Sequence, residues 1–278
     1  MPTRPMTPPP TRPSEQTDDP GAHTRAIDRI RESVLRAEDL GRVFPTRAGD
    51  VVGCAGINLE IFAGELVVVR GASGAGKSTL LRLLGGLDSP TSGAVWVRGV
   101  PFAGLTEQQT VALRRDDLGF IFQDFGLIPV LTAAQNVGLP LRMTETDAAT
   151  RDARVAAVLE LVGLTDHAAQ LPDELSGGQQ QRVGIARALA VPPTILIADE
   201  PTAQLDAANA TVVMDLLLQL VRTERIAVIV MNLLERLAHS DGIAVVVATH
   251  DPDLAARADH VIELHDGRVV QRPGRHRA

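Results

Sequence analysis

Residues 71–79 read GASGAGKST, with apolar runs at 66–69 and 80–84 on either side. A string of the form G-x-x-x-x-G-K-[ST] demands a strand that ends in a glycine loop and a helix that begins at once, because several backbone N–H groups must converge on one anion. Gly71, Gly74 and Gly76 let the backbone come close, with Ala72, Ser73, Ala75 and Thr79 completing the loop. Lys77 brings charge to phosphate oxygens, and Ser78 offers a hydroxyl to a metal ion. The helix start adds unpaired N–H groups and a favourable field for the anion.

The rest of the chain continues this rhythm. From Val34 onward short aliphatic runs alternate with helical stretches, the pattern of an α/β fold with a largely parallel sheet and crossover helices. Strands are expected at 34–37, 57–61, 66–69, 94–97, 119–122, 195–198, 243–248 and 261–264. Helices are expected at 77–84, 107–115, 133–137, 147–162, 177–190 and 207–222. Turns at Gly53, Gly56, Gly64 and Gly93 make the first strands antiparallel, and Trp96 reads as core.

Composition removes several function classes. A net charge of −7 and 3% aromatic residues with no Tyr give neither a basic field nor stacking platforms, so nucleic acid is not expected as a partner. Cys54 is the single cysteine, which excludes a disulfide framework or cysteine metal site and fits a reducing cytosol. The apolar stretch 226–234 is broken by Asn232 and is too short to span a bilayer. Seven of the 18 prolines fall within the first 20 residues, where no continuous apolar stretch reads as a secretory signal. Residues 1–33 read as a disordered Pro-rich tail, and 272–278 as a short C-terminal tail.

One region departs from the alternation. Residues 214–230 (MDLLLQLVRTERIAVIV) overlay 231–247 (MNLLERLAHSDGIAVVV) with 8 of 17 positions identical, which reads as a tandem duplication. No Gly or Pro lies between Ala207 and Ser240, so one long or bent helix is the expectation for this stretch.

Four further constellations carry chemistry. Residues 195–198 form an aliphatic run that ends in Asp199-Glu200: a strand delivering two carboxylates beside a phosphate loop offers one to a metal, through water, and one as general base. His250 closes the run IAVVVATHD, where an imidazole can donate to a terminal phosphate and orient water. Gln123 follows the strand at 119–122, and a neutral amide there can touch Mg²⁺ or its waters and swing away. LSGGQQQR, at 175–182, opens another helix with free amides, so Ser176, Gly177, Gly178 and Gln179 form a second anion site. Two such sites are too far apart for one pocket, and the economical answer is a head-to-tail homodimer.

In order and spacing these motifs resemble the nucleotide-binding domain of ABC ATPases, over about residues 34–271. The resemblance implies a P-loop NTPase fold with an antiparallel β subdomain, a RecA-like parallel core and an α-helical signature subdomain at about 124–186. It implies ATP and Mg²⁺, with Glu200, His250 and Lys77 catalytic, and Ser78, Gln123 and Asp199 at the metal. Phe44 then stands at the adenine, where the family usually has Tyr, and Asp206 in AQLD is the D-loop residue. The strings at 86–93, 105–141 and 198–206 are similar to the group that drives macrolide export, lipoprotein release and cell-division permeases. That implies a cytoplasmic subunit, peripheral on the inner face of the membrane, whose permease docks at Gln123 and residues 124–131. The extra 17 residues lengthen the spacing from Asp206 to His250 and threaten the register of that histidine. A soluble ABC-type ATPase of DNA repair or translation, and a catalytically weak nucleotide-binding protein, stay open as alternatives.

Overall fold

A computed structural model describes residues 33–202, 205–206, 208–209, 211–213, 215–216, 227–231, 244–246 and 260–270. The expected tails, apart from Ser33, and His250 lie outside the described residues.

A four-stranded sheet has the order β2-β1-β4-β5. Its β1 (Ser33–Thr46) and β2 (Gly49–Phe62) make one long antiparallel hairpin, β4 (Ser92–Val97) pairs antiparallel with β1, and β5 (Val100–Pro101) closes the edge. The hairpin far outruns the strands expected at 34–37 and 57–61. Register shifts between Ala37 and Leu40 and between Leu40 and Val43 reset the alternation of faces, so the outer half carries no period-2 signal. Trp96 is not core: it is half-buried on β4, with the Arg36 guanidinium 5.1 Å from its ring centroid.

The larger sheet comprises β3 (Glu65–Arg70), β6 (Leu118–Ile121), β7 (Ile195–Ala198), β8 (Ala227–Met231), β9 (Ala244–Val246), β10 (His260–His265) and β11 (Arg268–Val269). They run in the order β11-β10-β3-β9-β8-β7-β6, with β8 also pairing β3 at Leu66, and are parallel except for the β10–β11 pair. Glu65–Val69 and all of β7 are buried, as expected where helices cover both faces of a parallel sheet. The single long helix expected from Ala207 to Ser240 is corrected here, since β8 runs alongside β7 with Ile195 opposite Ala227 and Ala198 opposite Val230. The β-branched run at 228–230 fits a pleated sheet better than a helix, and pairing with β7 supplies the constraint that no turn residue signals.

Five helices have described bounds: α1 (Lys77–Leu84), α2 (Glu107–Asp117), α3 (Ala133–Met143), α4 (Ala148–Leu161) and α5 (Gly177–Ala190). Thr106, Thr132 and Ser176 each close a capping box with a glutamine three residues on, which fixes where α2, α3 and α5 start. α1 buries Leu80, Leu81, Leu83 and Leu84. α3, α4 and α5 pack on one another, and α5 also meets β6. Buried Asn136 accepts from Ile128 N at 2.8 Å and donates to Leu131 O at 2.9 Å, pinning the segment between β6 and α3. Among the described residues no helix is long and apolar enough to cross a membrane.

Candidate functional site

The glycine loop runs from the C-terminal end of β3 to α1, as the alternation of apolar runs requires. Gly76 takes φ 96°, and a β-carbon there would run into the Gly53 carbonyl, so backbone strain and space both select glycine. The loop is clamped from outside: Gly267 N donates to Ala75 O at 3.1 Å, and Ala55 N donates to Gly267 O at 2.7 Å. Lys77 is 7% exposed, and its ammonium donates to Gly71 O at 2.9 Å and Ala72 O at 3.0 Å, which holds the charge across the loop.

A cavity of about 390 Å³ opens above this loop. Ser73, Gly74, Gly76, Lys77, Ser78 and Thr79 form its floor, Phe44, Val51, Val52 and Gly53 one wall, and Glu200 another. Phe44 belongs to β1, opposite Val51 of β2, so the hairpin brings an aromatic ring to the phosphate loop. Gly53 makes room for it, because a β-carbon there would stand 2.7 Å from the Phe44 ring and 2.9 Å from the Thr79 methyl.

Asp199 leaves the end of β7 and donates its N–H to Ile121 O of β6 at 3.0 Å. Burial, and then the Glu200 charge, push its carboxyl above the ordinary range, while a Ser78 hydrogen bond and the Lys77 charge pull the other way. Ser78, Lys77, Asp199 and Glu200 therefore share one electrostatic neighbourhood. Glu200 has φ 47°, a left-handed conformation that costs a non-glycine residue on the order of 1 kcal/mol. Gln123 is exposed just beyond β6, at the same C-terminal edge of the sheet, and does not line the cavity.

The second helix start is elsewhere. Ser176, Gly177, Gly178 and Gln179 do not line the cavity. The Ser176 hydroxyl accepts from Gln179 N at 3.3 Å, and Gln179 Oε1 accepts from Ser176 N at 2.8 Å. Gln179 Nε2 also meets His167 Nε2 at 3.1 Å, so this amide serves the cap and its neighbour. Asn209 is absent from the residues expected at the site. Its N–H and side-chain amide donate to the Asp206 carboxylate at 2.9 and 2.8 Å, and a β-carbon on Gly178 would overlap it. Asp206 and Gly178 of α5 are thereby brought together at one side chain. The D-x-x-N spacing of a helix cap is the available signal; Gly53 and Gly56, expected as turns, lie inside β2, and nothing in the sequence points to Val51 or Val52.

With this geometry, a family model described as ABC transporter matches residues 54–203. This chain belongs to the ABC transporter family. The cassette is an ATP-binding, ATP-hydrolysing subunit of that family. It is 41% identical over 235 residues to the lipoprotein-releasing system ATP-binding protein LolD of Bordetella pertussis, covering 84% of this chain and 94% of the relative. It is 42% identical to the macrolide export ATP-binding/permease protein MacB of Rhodopseudomonas palustris, covering 86% of this chain but 34% of that longer protein. Among solved structures it is similar to a dimeric post-hydrolysis state of the ATP-binding cassette MJ0796 bound to ADP and Pi. The TM-score is 0.72 at 36% identity, over 85% of this chain and 97% of that one.

Proposed function

We propose that two copies of this cassette close head to tail on two ATP molecules and drive a membrane permease by that closure. The observation that carries this is the separation within one chain: Gly71–Thr79, Asp199 and Glu200 gather at one cavity, while the capped start of α5 contributes nothing to it. A helix start that lines no part of that cavity fits the nucleotide of a second copy.

In each site Phe44 stacks on adenine, the loop amides of residues 71–79 cradle the phosphates, and the Lys77 ammonium turns from the Gly71 and Ala72 carbonyls toward the outer phosphate oxygens. The Ser78 hydroxyl and Asp199 carboxylate are hard oxygen donors already in contact, a set that fits Mg²⁺, with Gln123 reaching its waters from the next strand. When bound, Mg²⁺ neutralises charge between the outer phosphates. Glu200 takes a proton from water as the water oxygen bonds to the terminal phosphorus and the bridging oxygen leaves with ADP. His250 donates to the terminal phosphate, and Ser176, Gly177, Gly178 and Gln179 of the opposite copy cover it. Asp206, held by Asn209 next to Gly178, couples the two sites.

The permease docks in a second, apolar cavity of about 510 Å³, lined among others by Leu87, Val111, Phe122, Ile128 and Met143, all more than a third exposed. Phe122 and Ile128 bracket Gln123, so a helix seated there bears on the residue that reaches the waters of the metal. This is a cassette working on the cytoplasmic face of a membrane.

The test is Glu200→Gln in the full chain. It should lower turnover by roughly 100-fold or more while light scattering detects a dimer in MgATP. A variant that stays monomeric at every nucleotide and protein concentration, with or without the permease, removes the proposal.

A further inference from the structure

A β-strand offers two edges, and each edge forms a ladder with one neighbour about 4.8 Å away. On β3 one edge belongs to β10, with His260 opposite Val67 and Ile262 opposite Val69. The other edge is claimed twice. Leu66 is in register with Val245 of β9 and also with Val228 of β8. Val228 and Val245 are 17 positions apart, which is the period of the tandem repeat. β8 and β9 pair with each other in that same offset, Val228 opposite Val245 and Ile229 opposite Val246. Equivalent residues of the two copies thus converge on one residue of β3.

β8 alone is enough to complete the sheet, since it pairs with β7 along Ile195–Ala198 and reaches β3 at Leu66. β9 competes for the same edge through Glu65, Leu66 and Val67. The 12 residues between Met231 and Ala244 suffice for a crossover between parallel strands, so chain length does not forbid two strands side by side. The double claim on one edge of β3 does.

We infer that the two repeat strands are alternative occupants of a single place between β3 and β7, and that their exchange switches the ATPase on and off. This rests on the reading of His250 as the residue at the terminal phosphate. The residues after each strand make the alternatives unequal. The second copy continues as Ala248-Thr249-His250-Asp251, and the first as Met231-Asn232-Leu233-Leu234. A shift of 17 positions carries His250 onto Leu233. With the second copy in place the chain runs from the end of the strand into an imidazole; with the first it runs into an aliphatic side chain that can neither donate to phosphate nor orient water. The phosphate loop, Asp199 and Glu200 belong to other strands, so exchange leaves ATP binding intact and alters hydrolysis.

The experiment disables each strand in turn in the full chain, by Val228→Asp, by Val245→Asp and by both. Readouts are thermal unfolding, MgATP affinity and turnover. Each single variant should unfold cooperatively near the parent temperature and bind MgATP within about threefold of it, because the other copy fills the place. Val228→Asp should match or exceed parent turnover, and Val245→Asp should lose at least about tenfold. The double variant should fail to fold. Collapse of either single variant in the manner of the double overturns the exchange, and parent-like turnover in Val245→Asp overturns its switching of the ATPase. Deletion of residues 231–247 is the control with one copy only, and it should fold and turn over ATP at or above the parent rate. Loss of folding there counts against interchangeable copies. Adding His250→Ala to Val228→Asp separates the two readings. If turnover is unchanged while both single variants fold, the role of His250 falls and strand exchange stands.

Discussion

The Arg42 guanidinium lies over the ring of Phe44, 4.8 Å from its centroid, and the Asp88 carboxylate holds it there with contacts of 3.0 and 3.1 Å. One face of the ring is thus capped by a cation, leaving the other for a base. Aromatic and cation–π contacts of this kind contribute about 0.5–1.5 kcal/mol each. Phe44→Ala should raise the KM for ATP by roughly tenfold, Arg42→Ala by roughly threefold, and Phe44→Tyr by less than about twofold. In all three variants kcat at saturating ATP should stay at the parent value, because the proposed stack on adenine would bind ground and transition states alike.

Burial, and then the neighbouring Glu200 charge, raise the Asp199 carboxyl above the ordinary range. A carboxyl whose folded pKa is raised destabilises the fold at pH values above that pKa, and the cost is relieved as pH falls through the window between the unfolded and folded values. Asp199→Asn removes the cost. Its melting temperature without nucleotide or metal should rise at neutral pH, while stimulation of turnover by Mg²⁺ is lost.

Gly178 has no room for a β-carbon beside Asn209. Gly178→Ala should cost about 1–3 kcal/mol by overpacking, and Asn209→Ala in the same chain should recover much of it. Urea unfolding of the two single variants and the double forms a cycle whose coupling should exceed about 1 kcal/mol. A coupling near zero would mean that the side chain linking Asp206 to α5 is not in place.

Cys54 is fully buried, and burial pushes its thiol above the ordinary range. Because the folded state keeps the proton longer than the unfolded one, the thiol leaves stability untouched below the unfolded pKa of about 8.5 and lowers it as pH rises through that value. Cys54→Ala should flatten that alkaline decline in denaturant midpoints. In the native parent, alkylation at pH 8 should be slower than in the denatured chain by about tenfold or more.

Local pattern makes some elements fully legible. The helix at 77–84 and the strand at 195–198 match their expected bounds to the residue, because a glycine loop fixes one start and an aliphatic run ending in two acids fixes the other end. The ends of α2 and α3 run past their expected limits, where exposed residues such as Arg142 and Met143 carry no periodic signal. The hairpin from Ser33 to Phe62 is mostly hidden in the sequence, since its bulges break the alternation. The cavity wall at Val51, Val52 and Gly53 is hidden with it. Trp96 departs from expectation because an apolar strand has two faces and the sequence does not say which one a cation will cover.

The glycine loop, the paired acids, the capped second helix and the family are all legible in the order of the residues, because each depends on residue types at short, fixed spacing. That residues 227–231 are a strand, that Phe44 reaches the loop and that both repeat copies claim Leu66 emerge only once the chain is folded. Those outcomes depend on which backbone edges are left open by distant strands. An edge has one place to fill however many candidate strands the chain supplies.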